Sequence, residues 1–461
     1  MLAREDARAL CDRVLSCSPA ATTEVILESR RSGMLRLAES APSEQMVLLD
    51  PCLSVRVEHE GRSGRASGAA FDDAGIRRVV QDAWQAAQVS PRLDLPELVA
   101  GSGDDGAIGG DGGCTPGDAD ALLERDVSDK LDALADALTD VREAGAVATG
   151  FWDSTARSCS YATSAGCFRH ALLAHDWFSS TVIAGDGGSG VAHDGHVDGS
   201  RLEGDAAGRV VRGALDLALR SKKPRPVLAN TKRVLLSSRA VSELLLFVSW
   251  CGFGARSWIE KRSFLRRHEN ERVMDEAVTI VDDHEFFRGI GFDFEGMTRQ
   301  RVPLVQNGMA RRPVFDRPCA LEAGEGFAST GHADRQPSAG GPSPSHLRML
   351  VDDSKHVAPE ALVDALGDGL VITQFHYTNL IDPVNVSITG MTRNGTFLVE
   401  DGRVVGPVQN LRFTVDVLDV LSEIVAAASV SETVLPFFGD AASSVPALVL
   451  PAFRFTSTTD F

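Results

Sequence analysis

Apolar side chains recur at helical spacing in four stretches of the first half of the chain. The clearest stretch runs from Ile76 to Ala87, where six apolar residues form one stripe. Asp72-Asp73 precede it as candidate N-caps. Each stripe is typical of a helix that buries one face. The pattern predicts helices over residues 1–18, 76–87, 128–143 and 206–219.

The segments between these helices have strand-like patterns. Ser29–Gly33 is predicted to be a turn between the first two strands, and Gly61 marks a second hairpin. The Gly-rich segment Gly185–Asp205 is predicted to be a loop. We therefore expect an N-terminal α/β sandwich-like domain of antiparallel strands with helices. Its strands are predicted over Thr23–Glu28, Met34–Glu39, Leu53–Glu58, Arg62–Ser67, Ala146–Trp152, Ser158–Ala162 and Phe168–Ile183.

Hairpin signals dominate the second half. Asn307-Gly308 predicts a type I′ turn, and Asn394-Gly395 followed by Asp401-Gly402 predicts a three-stranded meander. A helix is predicted over Thr414–Ala428, where apolar residues fall at helical spacing. We expect a C-terminal domain of antiparallel sheet with packed helices, and an α+β fold class for the protein. Further strands are predicted over Leu370–Thr378 and Val445–Phe455.

Pro224-Arg-Pro226 breaks the chain after a predicted helix and marks the predicted domain boundary. A region over residues 1–223 is predicted to precede a β-rich domain over residues 224–461. The acidic, Gly-rich segment 101–119 cannot pack a core and is predicted to be a mobile loop. Its Gly-x-Gly-x-x-Gly pattern lacks the helix that a dinucleotide site needs, so no nucleotide cofactor is predicted.

Composition restricts the class of protein and its partners. The 461 residues suffice for two or three domains, and 43% hydrophobic with 24% charged residues is ordinary for a globular protein. The net charge of −18 disfavours nucleic acid and anionic lipid, since phosphate contacts need clustered cations. No segment reaches the roughly 20 apolar residues of a membrane helix, and residues 1–8 lack a secretory signal. We expect a cytoplasmic protein, with no membrane partner and with its eight cysteines as free thiols.

His193 and His196 are a candidate metal-binding pair in the N-terminal half. Histidines three residues apart can chelate an ion in a turn, but no third ligand lies nearby in the sequence. We interpret them as solvent-exposed loop histidines, because compact connections are polar and exposed by default. No metal site is predicted here, and weak metal binding by the pair stays open.

Several segments of the second half occur in an order that points to a known family. An apolar helix is predicted from Arg239 to Trp250, and the Asn307-Gly308 turn lies further along. The order resembles that of the C-terminal domain of the TldD/PmbA (TldE) family, the paired subunits of a bacterial zinc peptidase. The other landmarks are Asp282-Asp283, Asp293-x-Glu295-Gly296, Ser329-Thr330-Gly331, Gly369-Leu370 and Glu400-Asp401-Gly402.

The resemblance places a zinc motif on the predicted apolar helix. In the catalytic TldD-type subunit this helix carries His-Glu-x-x-x-His, with two zinc ligands and a glutamate as general base. The matching residues here are Ser242, Glu243 and Phe247. A phenylalanine has no lone pair to give, and a neutral serine is a poor ligand. The third ligand in that subunit is a C-terminal cysteine, and no cysteine follows Cys319. We predict no metal in this chain and a structural role for Glu243.

The resemblance implies a non-metal, TldE/PmbA-like subunit of a heteromeric zinc metallopeptidase, with no catalytic residue and no cofactor of its own. A TldD-like partner would supply the zinc. This chain would help to enclose the active site and to bind unfolded peptides for processing or degradation. The candidate peptide-binding residues are His376, Tyr377, Asn379 and Arg393.

Two other functions stay open at this point. One is a hydrolase with its own unrecognised site, although no Gly-x-Ser-x-Gly elbow occurs and Ser189 lies in a predicted loop. The other is a non-enzymatic regulatory or binding protein. Peptidase activity that depends on a zinc-containing partner would distinguish a metal-free subunit from a hydrolase with its own site. Peptide binding without turnover would support a non-enzymatic binding protein. Phe375–Pro383 replaces a glycine-rich stretch of the family, so no peptide specificity is implied.

Overall fold

Two β-sheets divide the chain between them in this computed structural model. The strands of the first sheet end at His196, and those of the second begin at Thr231. The connection between the sheets includes the predicted domain boundary at 223/224, which stays a prediction. The structure describes residues 1–92, 96–100, 112–335, 340–435 and 442–459.

The described residues of the first half form long antiparallel strands with helices packed on them. The helices are α1 (Arg4–Cys17), α2 (Asp73–Val89), α3 (Pro116–Leu123), α4 (Val127–Glu143) and α5 (Ala206–Arg220). The strands are β1 (Thr22–Ala38), β2 (Ala41–His59), β3 (Arg62–Gly68), β4 (Val147–Thr163), β5 (Phe168–Ile183) and β6 (Ser189–His196).

The first sheet has the order β3-β2-β1-β4-β5-β6, and all neighbouring pairs are antiparallel. Leu27 and Leu35 of β1 face the helices: Leu27 lies in a core with α1 and α2, and Leu35 in a core with α4 and α5. Ile26 faces the opposite side and lies in a cluster with Phe292 of the second half. Successive strand residues alternate between faces, so one face of the sheet carries helices and the other meets the C-terminal half.

The predicted turn at Ser29–Gly33 is wrong, because this segment continues β1. Arg31 pairs with Leu49 of β2 on one side and with Ala156 of β4 on the other. The two strands predicted before and after residues 153–157 are likewise one strand, β4. A central strand has hydrogen-bonding partners on both sides for its backbone, so polar and basic residues do not end it.

Two loop predictions in this half also need correction. Gly185–Asp205 contains β6, which pairs with β5 along its whole length. The predicted mobile loop 101–119 reaches into α3, which begins at Pro116 behind a Thr115 capping box. Residues 101–111 of that loop lie outside the described residues.

Strand β2 has an apolar edge. Residues 41–52 pair with β1, and β3 covers only Leu53–His59 within the described chain. Met46, Val47, Leu48 and Leu49 are between 39% and 68% exposed. A long exposed edge with apolar side chains can pair with another strand.

The described residues of the second half form a mixed sheet with short helices. Its strands are β7 (Thr231–Leu236), β8 (Val278–Asp282), β9 (Val302–Gln306), β10 (Met309–Ala310), β11 (His346–Val351), β12 (His356–Val357), β13 (Gly369–Asp382), β14 (Ser387–Glu400), β15 (Arg403–Pro407), β16 (Leu411–Asp416), β17 (Ala426–Val434) and β18 (Ala442–Thr458). Its helices are α6 (Ser238–Gly252), α7 (Ala255–Ile259), α8 (Phe264–Arg267), α9 (Arg317–Ala323), α10 (Leu362–Leu366) and α11 (Val417–Val420).

Five strands of the second sheet close into a ring. In the described chain, the order runs from β7 through β13, β14 and β16 to β18, which pairs with β7 again. Helix α6 packs against β13, β17 and β18. The buried residues of α6 and of these strands belong to the largest apolar core of the described chain. Ring closure leaves these five strands without a free edge.

The turn predictions of the second half are partly right. Asn307 and Gly308 have φ values of 50° and 72° and connect β9 to β10, as predicted. The predicted turn at Asn394-Gly395 is wrong, because both residues lie within β14. There the pairing register with β13 shifts near Thr373, whose hydroxyl donates to the carbonyl of Gly395 at 2.8 Å. The left-handed backbone of Asn394 and Gly395, which would also suit a turn, forms a β-bulge here.

The helix predicted over Thr414–Ala428 is also wrong. The segment contains the end of β16, the four-residue helix α11 and the start of β17. Val415 of β16, Val417 of α11 and Leu421, which follows α11, all lie in the same core. A short apolar run fits strand and helix equally well.

The protein has the predicted α+β fold, with mixed helices and strands in both halves. Among the described residues, no helix is long and apolar enough to cross a membrane.

Candidate functional site

A cavity of about 1280 Å³ lies between the two sheets. One wall is the helix-free face of the first sheet, including Arg30 of β1 and Trp177 of β5. The other wall belongs to the second half and includes Arg239 of α6, His376 of β13 and Arg393 of β14. The site therefore needs both halves of the chain.

Helix α6 carries the positions that correspond to the zinc motif. The Oγ atoms of Ser242 and Ser443 lie 2.8 Å apart, and both residues are buried. Phe247 is 5% exposed and packs edge-on against the Trp250 ring. One ligand position is thus occupied by a hydroxyl pair and the other by a core aromatic side chain.

Glu243 lies between these two positions on α6. Burial raises the pKa of Glu243, while the Thr378 hydroxyl and the Arg239 guanidinium favour its charged form. The carboxylate is therefore positioned to act on Arg239, one helical turn earlier. Its structural role stays a prediction.

The zinc site of the catalytic subunit type does not fit these residues. Among the described side chains, no group of three or more His, Cys, Asp or Glu is arranged to hold a metal ion. Cys319 is buried in α9, and its Sγ atom accepts a hydrogen bond from Arg256 at 3.5 Å. We derive no catalytic step through zinc in this chain.

The loop prediction for His193 and His196 is wrong, although His196 is exposed as predicted. Both lie on β6, where residues three apart point to opposite faces. The His193 ring stacks on Trp177 with 5.0 Å between centroids, and its Nδ1 atom lies 2.9 Å from the Arg239 guanidinium. Burial, followed by the charge of Arg239, lowers the pKa of His193 to about 3. His193 is thus a neutral contact between the two halves.

The structure brings two of the four candidate peptide-binding residues to the cavity. His376 and Arg393 line it and contact each other. Burial and the charge of Arg393 lower the pKa of His376. Tyr377 is 73% exposed and does not line the cavity, and the Asn379 side chain donates to the Tyr377 carbonyl at 2.8 Å. The peptide-binding role of all four residues stays a prediction.

The cavity lining is cationic, which the sequence analysis missed. Basic residues outnumber acidic residues there, although acids outnumber bases in the chain as a whole. The described arginines of the lining are Arg30, Arg157, Arg239, Arg299, Arg335 and Arg393. The described acids are Glu28, Asp153 and Asp334. Of this set, the sequence analysis named only Arg393 as a candidate peptide-binding residue.

The charges on the first-sheet wall are largely compensated. Glu28 lies 2.7 Å from Arg335 and 3.8 Å from Arg157. Asp153 lies 3.0 Å from His175, and this contact together with the Arg30 charge helps to lower the pKa of Asp153, against the effect of burial. Excess positive charge therefore resides mainly on the opposite wall.

Two of the family-like landmarks hold the loops beneath the cavity. Asp282 accepts from the Ser345 amide at 2.8 Å and lies 3.3 Å from the His332 ring. Arg299 donates to the Ser345 hydroxyl at 2.6 Å, and Asp293 accepts from the Ala333 amide at 2.8 Å. These aspartates fix the loops that carry Arg299 and His332 to the cavity.

A family model described as the PmbA/TldA metallopeptidase C-terminal domain matches residues 229–457. The fold of the whole chain is similar to that of TldE from Thermococcus kodakarensis, with a TM-score of 0.80, 16% identity and coverage of 98% of this chain and 100% of that one. It is also similar to a candidate DNA gyrase modulator from Thermotoga maritima, with a TM-score of 0.76, 15% identity and coverage of 98% and 100%. These likenesses show the fold.

An uncharacterized protein from Methanocaldococcus jannaschii is 32% identical over 125 residues. The match spans 26% of this chain and 29% of that relative, less than a third of its length. The family model covers the region that contains α6 and the second wall of the cavity. By its C-terminal domain, residues 229–457, the chain belongs to the PmbA/TldD family.

Proposed function

We propose that this chain is the non-metal, TldE-like subunit of a heteromeric zinc metallopeptidase, in which a TldD-like chain provides the zinc. The observation that carries the proposal is the environment of α6. Its two ligand positions are occupied by Ser242, which contacts Ser443, and by Phe247, which is part of the core. The helix is thus retained as a packing element without a ligand set.

The cavity supports a role in binding peptide. Pockets for small molecules enclose about 300–1,000 Å³, so a cavity of about 1280 Å³ has room for several residues of a peptide. Strand β6 is the last strand of the first sheet in the described chain, and Ser189 and Val191 on it line the cavity. An extended peptide can add to such an edge through main-chain hydrogen bonds, here beyond Ser189, whose own N–H and C=O bond to the Ser221 hydroxyl.

The test compares the chain alone with the chain co-expressed with a TldD-like chain of the same organism. We expect zinc near zero per chain in the untagged, dialysed protein alone, and no peptidase activity. We expect a stable complex with one zinc per partner chain and hydrolysis of unfolded peptides. Zinc near one in the isolated chain, or peptide hydrolysis by it, would overturn the proposal.

Two variants sharpen this experiment. Replacing a zinc-binding histidine of the partner should abolish hydrolysis while the complex still forms. Glu243→Gln in this chain should leave hydrolysis within about twofold, because no metal-bound water lies beside that carboxylate in the proposed arrangement. A loss of activity with Glu243→Gln, in a complex that still assembles, would contradict the assignment of this chain as the non-catalytic subunit.

A further inference from the structure

Arg239 and Arg393 on the second cavity wall have neutral hydrogen-bonding partners. The Arg239 guanidinium donates to Nδ1 of His193, and the Arg393 guanidinium donates to Nε2 of His376. A guanidinium has no acceptor atom, so each imidazole must be neutral and must accept. Among the described residues, no carboxylate oxygen lies within 4.0 Å of either guanidinium.

These two arginines lie where the halves of the protein meet. Arg239 bonds to β6 through His193, Arg393 lies on β14, and β6 contacts β14. Arg239 is half-buried, whereas Arg393 is exposed. A ligand that enters the cavity can therefore meet one cation near the surface and a second one deeper inside.

Neither arginine is in an ion pair with a described carboxylate, although the chain contains 64 acidic and 46 basic residues. The charge of Glu243 acts on Arg239 from one helical turn away, without a contact within 4.0 Å. For the half-buried Arg239, partial removal from water without a directly paired carboxylate costs free energy, which a bound anion offsets. Carboxylates suit this role, since the planar guanidinium matches their geometry.

We propose that this corner of the cavity binds carboxylate side chains of an acidic peptide segment, with Arg239 and Arg393 as the anion-binding residues. The inference rests on the proposed peptide-binding function and specifies its substrate class. The size of the cavity favours a peptide over a single small anion. The net charge of −18 does not prevent binding, because surface charges beyond about 8 Å are screened at physiological salt.

The test is fluorescence anisotropy with the full chain alone and labelled octapeptides of one design. One peptide contains four glutamates, a second has glutamines at the same positions, and a third has lysines. We expect the glutamate peptide to bind at least tenfold more tightly than the glutamine peptide, and the lysine peptide not to bind. Equal affinity for the glutamate and glutamine peptides would overturn the proposal.

Matched variants locate the site. Arg393→Gln should weaken binding of the glutamate peptide about tenfold, and Arg393→Lys should weaken it less. Arg412→Gln removes the same charge from an exposed position on β16 outside the cavity and should leave binding unchanged. If both glutamine variants weaken binding of the glutamate peptide equally, the effect of charge is non-specific and the proposed site is wrong. Because Arg393 is exposed, its variants test the site even if Arg239→Gln does not fold.

Competition distinguishes a peptide from a free anion. Inorganic phosphate and monomeric glutamate at millimolar concentration should displace little of the glutamate peptide. Full displacement by either one would show a small-anion site and contradict the proposal. All of these measurements use the chain alone, so the result is independent of whether a TldD-like partner associates. A chain that binds this partner but not the acidic peptide would refute only the present inference.

Discussion

The Nδ1 atom of His193 lies 2.9 Å from the guanidinium of Arg239, which joins β6 of the first sheet to α6 of the second half of the chain. The imidazole also stacks on Trp177. Since the guanidinium can only donate, the neutral imidazole carries its proton on Nε2. One hydrogen bond thus connects the helix that bears the altered zinc motif to the opposite cavity wall.

We expect Arg239→Met to raise the pKa of His193. Burial is the larger cause of the depressed value of about 3, and the arginine charge is the smaller cause. The pKa should therefore rise but stay below the ordinary value of 6.5. Histidine-selective NMR titration measures it, with Arg412→Met as the control variant. A pKa that does not move would show that the charge of Arg239 does not act on this ring.

Phe247→Ala should lower the free energy of unfolding by about 3–5 kcal/mol, as expected when a large core side chain is truncated. The residue is 5% exposed and belongs to the main core of the second half of the chain. Leu246→Ala, at the neighbouring half-buried position, should lower the free energy of unfolding by less. Urea unfolding of both variants gives the comparison. A loss below about 1 kcal/mol for Phe247→Ala would mean that this position is not part of a packed core.

Glu295→Gln should become more stable relative to the natural protein as the pH rises. Burial is the first cause that raises the pKa of Glu295, from 4.5 to about 8, and the nearby Asp293 adds to the effect. The folded protein then holds a proton that the unfolded chain releases. The stabilisation of the neutral carboxyl is complete below about pH 4.5 and is lost as the pH rises to about 8.

The glutamine side chain keeps the acceptor for the Arg317 amide, which lies 2.9 Å from a Glu295 oxygen. The stability difference between variant and natural protein should therefore change by at most about 1.4 kcal/mol per pH unit in that window. Urea unfolding at pH 5 and pH 8 measures the change. A difference that is the same at both pH values would show that Glu295 is ionised in the folded protein.

We expect the purified chain to self-associate through the edge of β2. Val47 and Leu49 are 58% and 68% exposed on a strand segment that pairs only with β1 among the described residues. Val47→Lys and Leu49→Lys should each shift the chain toward monomer, because a charged side chain blocks edge pairing. Val89→Lys, at an apolar residue that is 84% exposed on α2, serves as the control. Sedimentation velocity at several concentrations distinguishes these outcomes.

Local signals were reliable where one residue type determines the backbone. Asp72 caps α2, as predicted, with its side chain accepting from the Gly75 amide. Asn307-Gly308 forms its hairpin because the adjacent strands are also neighbours in space. The same residue pair at Asn394-Gly395 forms a bulge, since β14 continues and pairs with β13 and β16.

The cavity was beyond local prediction, because distant residues form it. Arg239 and His193 are 46 positions apart, and His376 and Arg393 meet only through the register of β13 and β14. The family resemblance identified the helix with Ser242 and Phe247. It contained no sign that Arg239, in the first turn of the same helix, reaches the other half of the protein.

Because the two cavity arginines have neutral hydrogen-bonding partners, their charge should stay constant over a range of pH. An arginine does not release its proton in proteins. The pKa of His193 is about 3 and that of His376 is below its ordinary value, so neither ring adds charge near neutrality. Between about pH 6.5 and pH 8 the two arginines and their imidazole partners should therefore carry the same double positive charge. A change of pH within that interval should alter the charge of the ligand but not the charge of the two arginines.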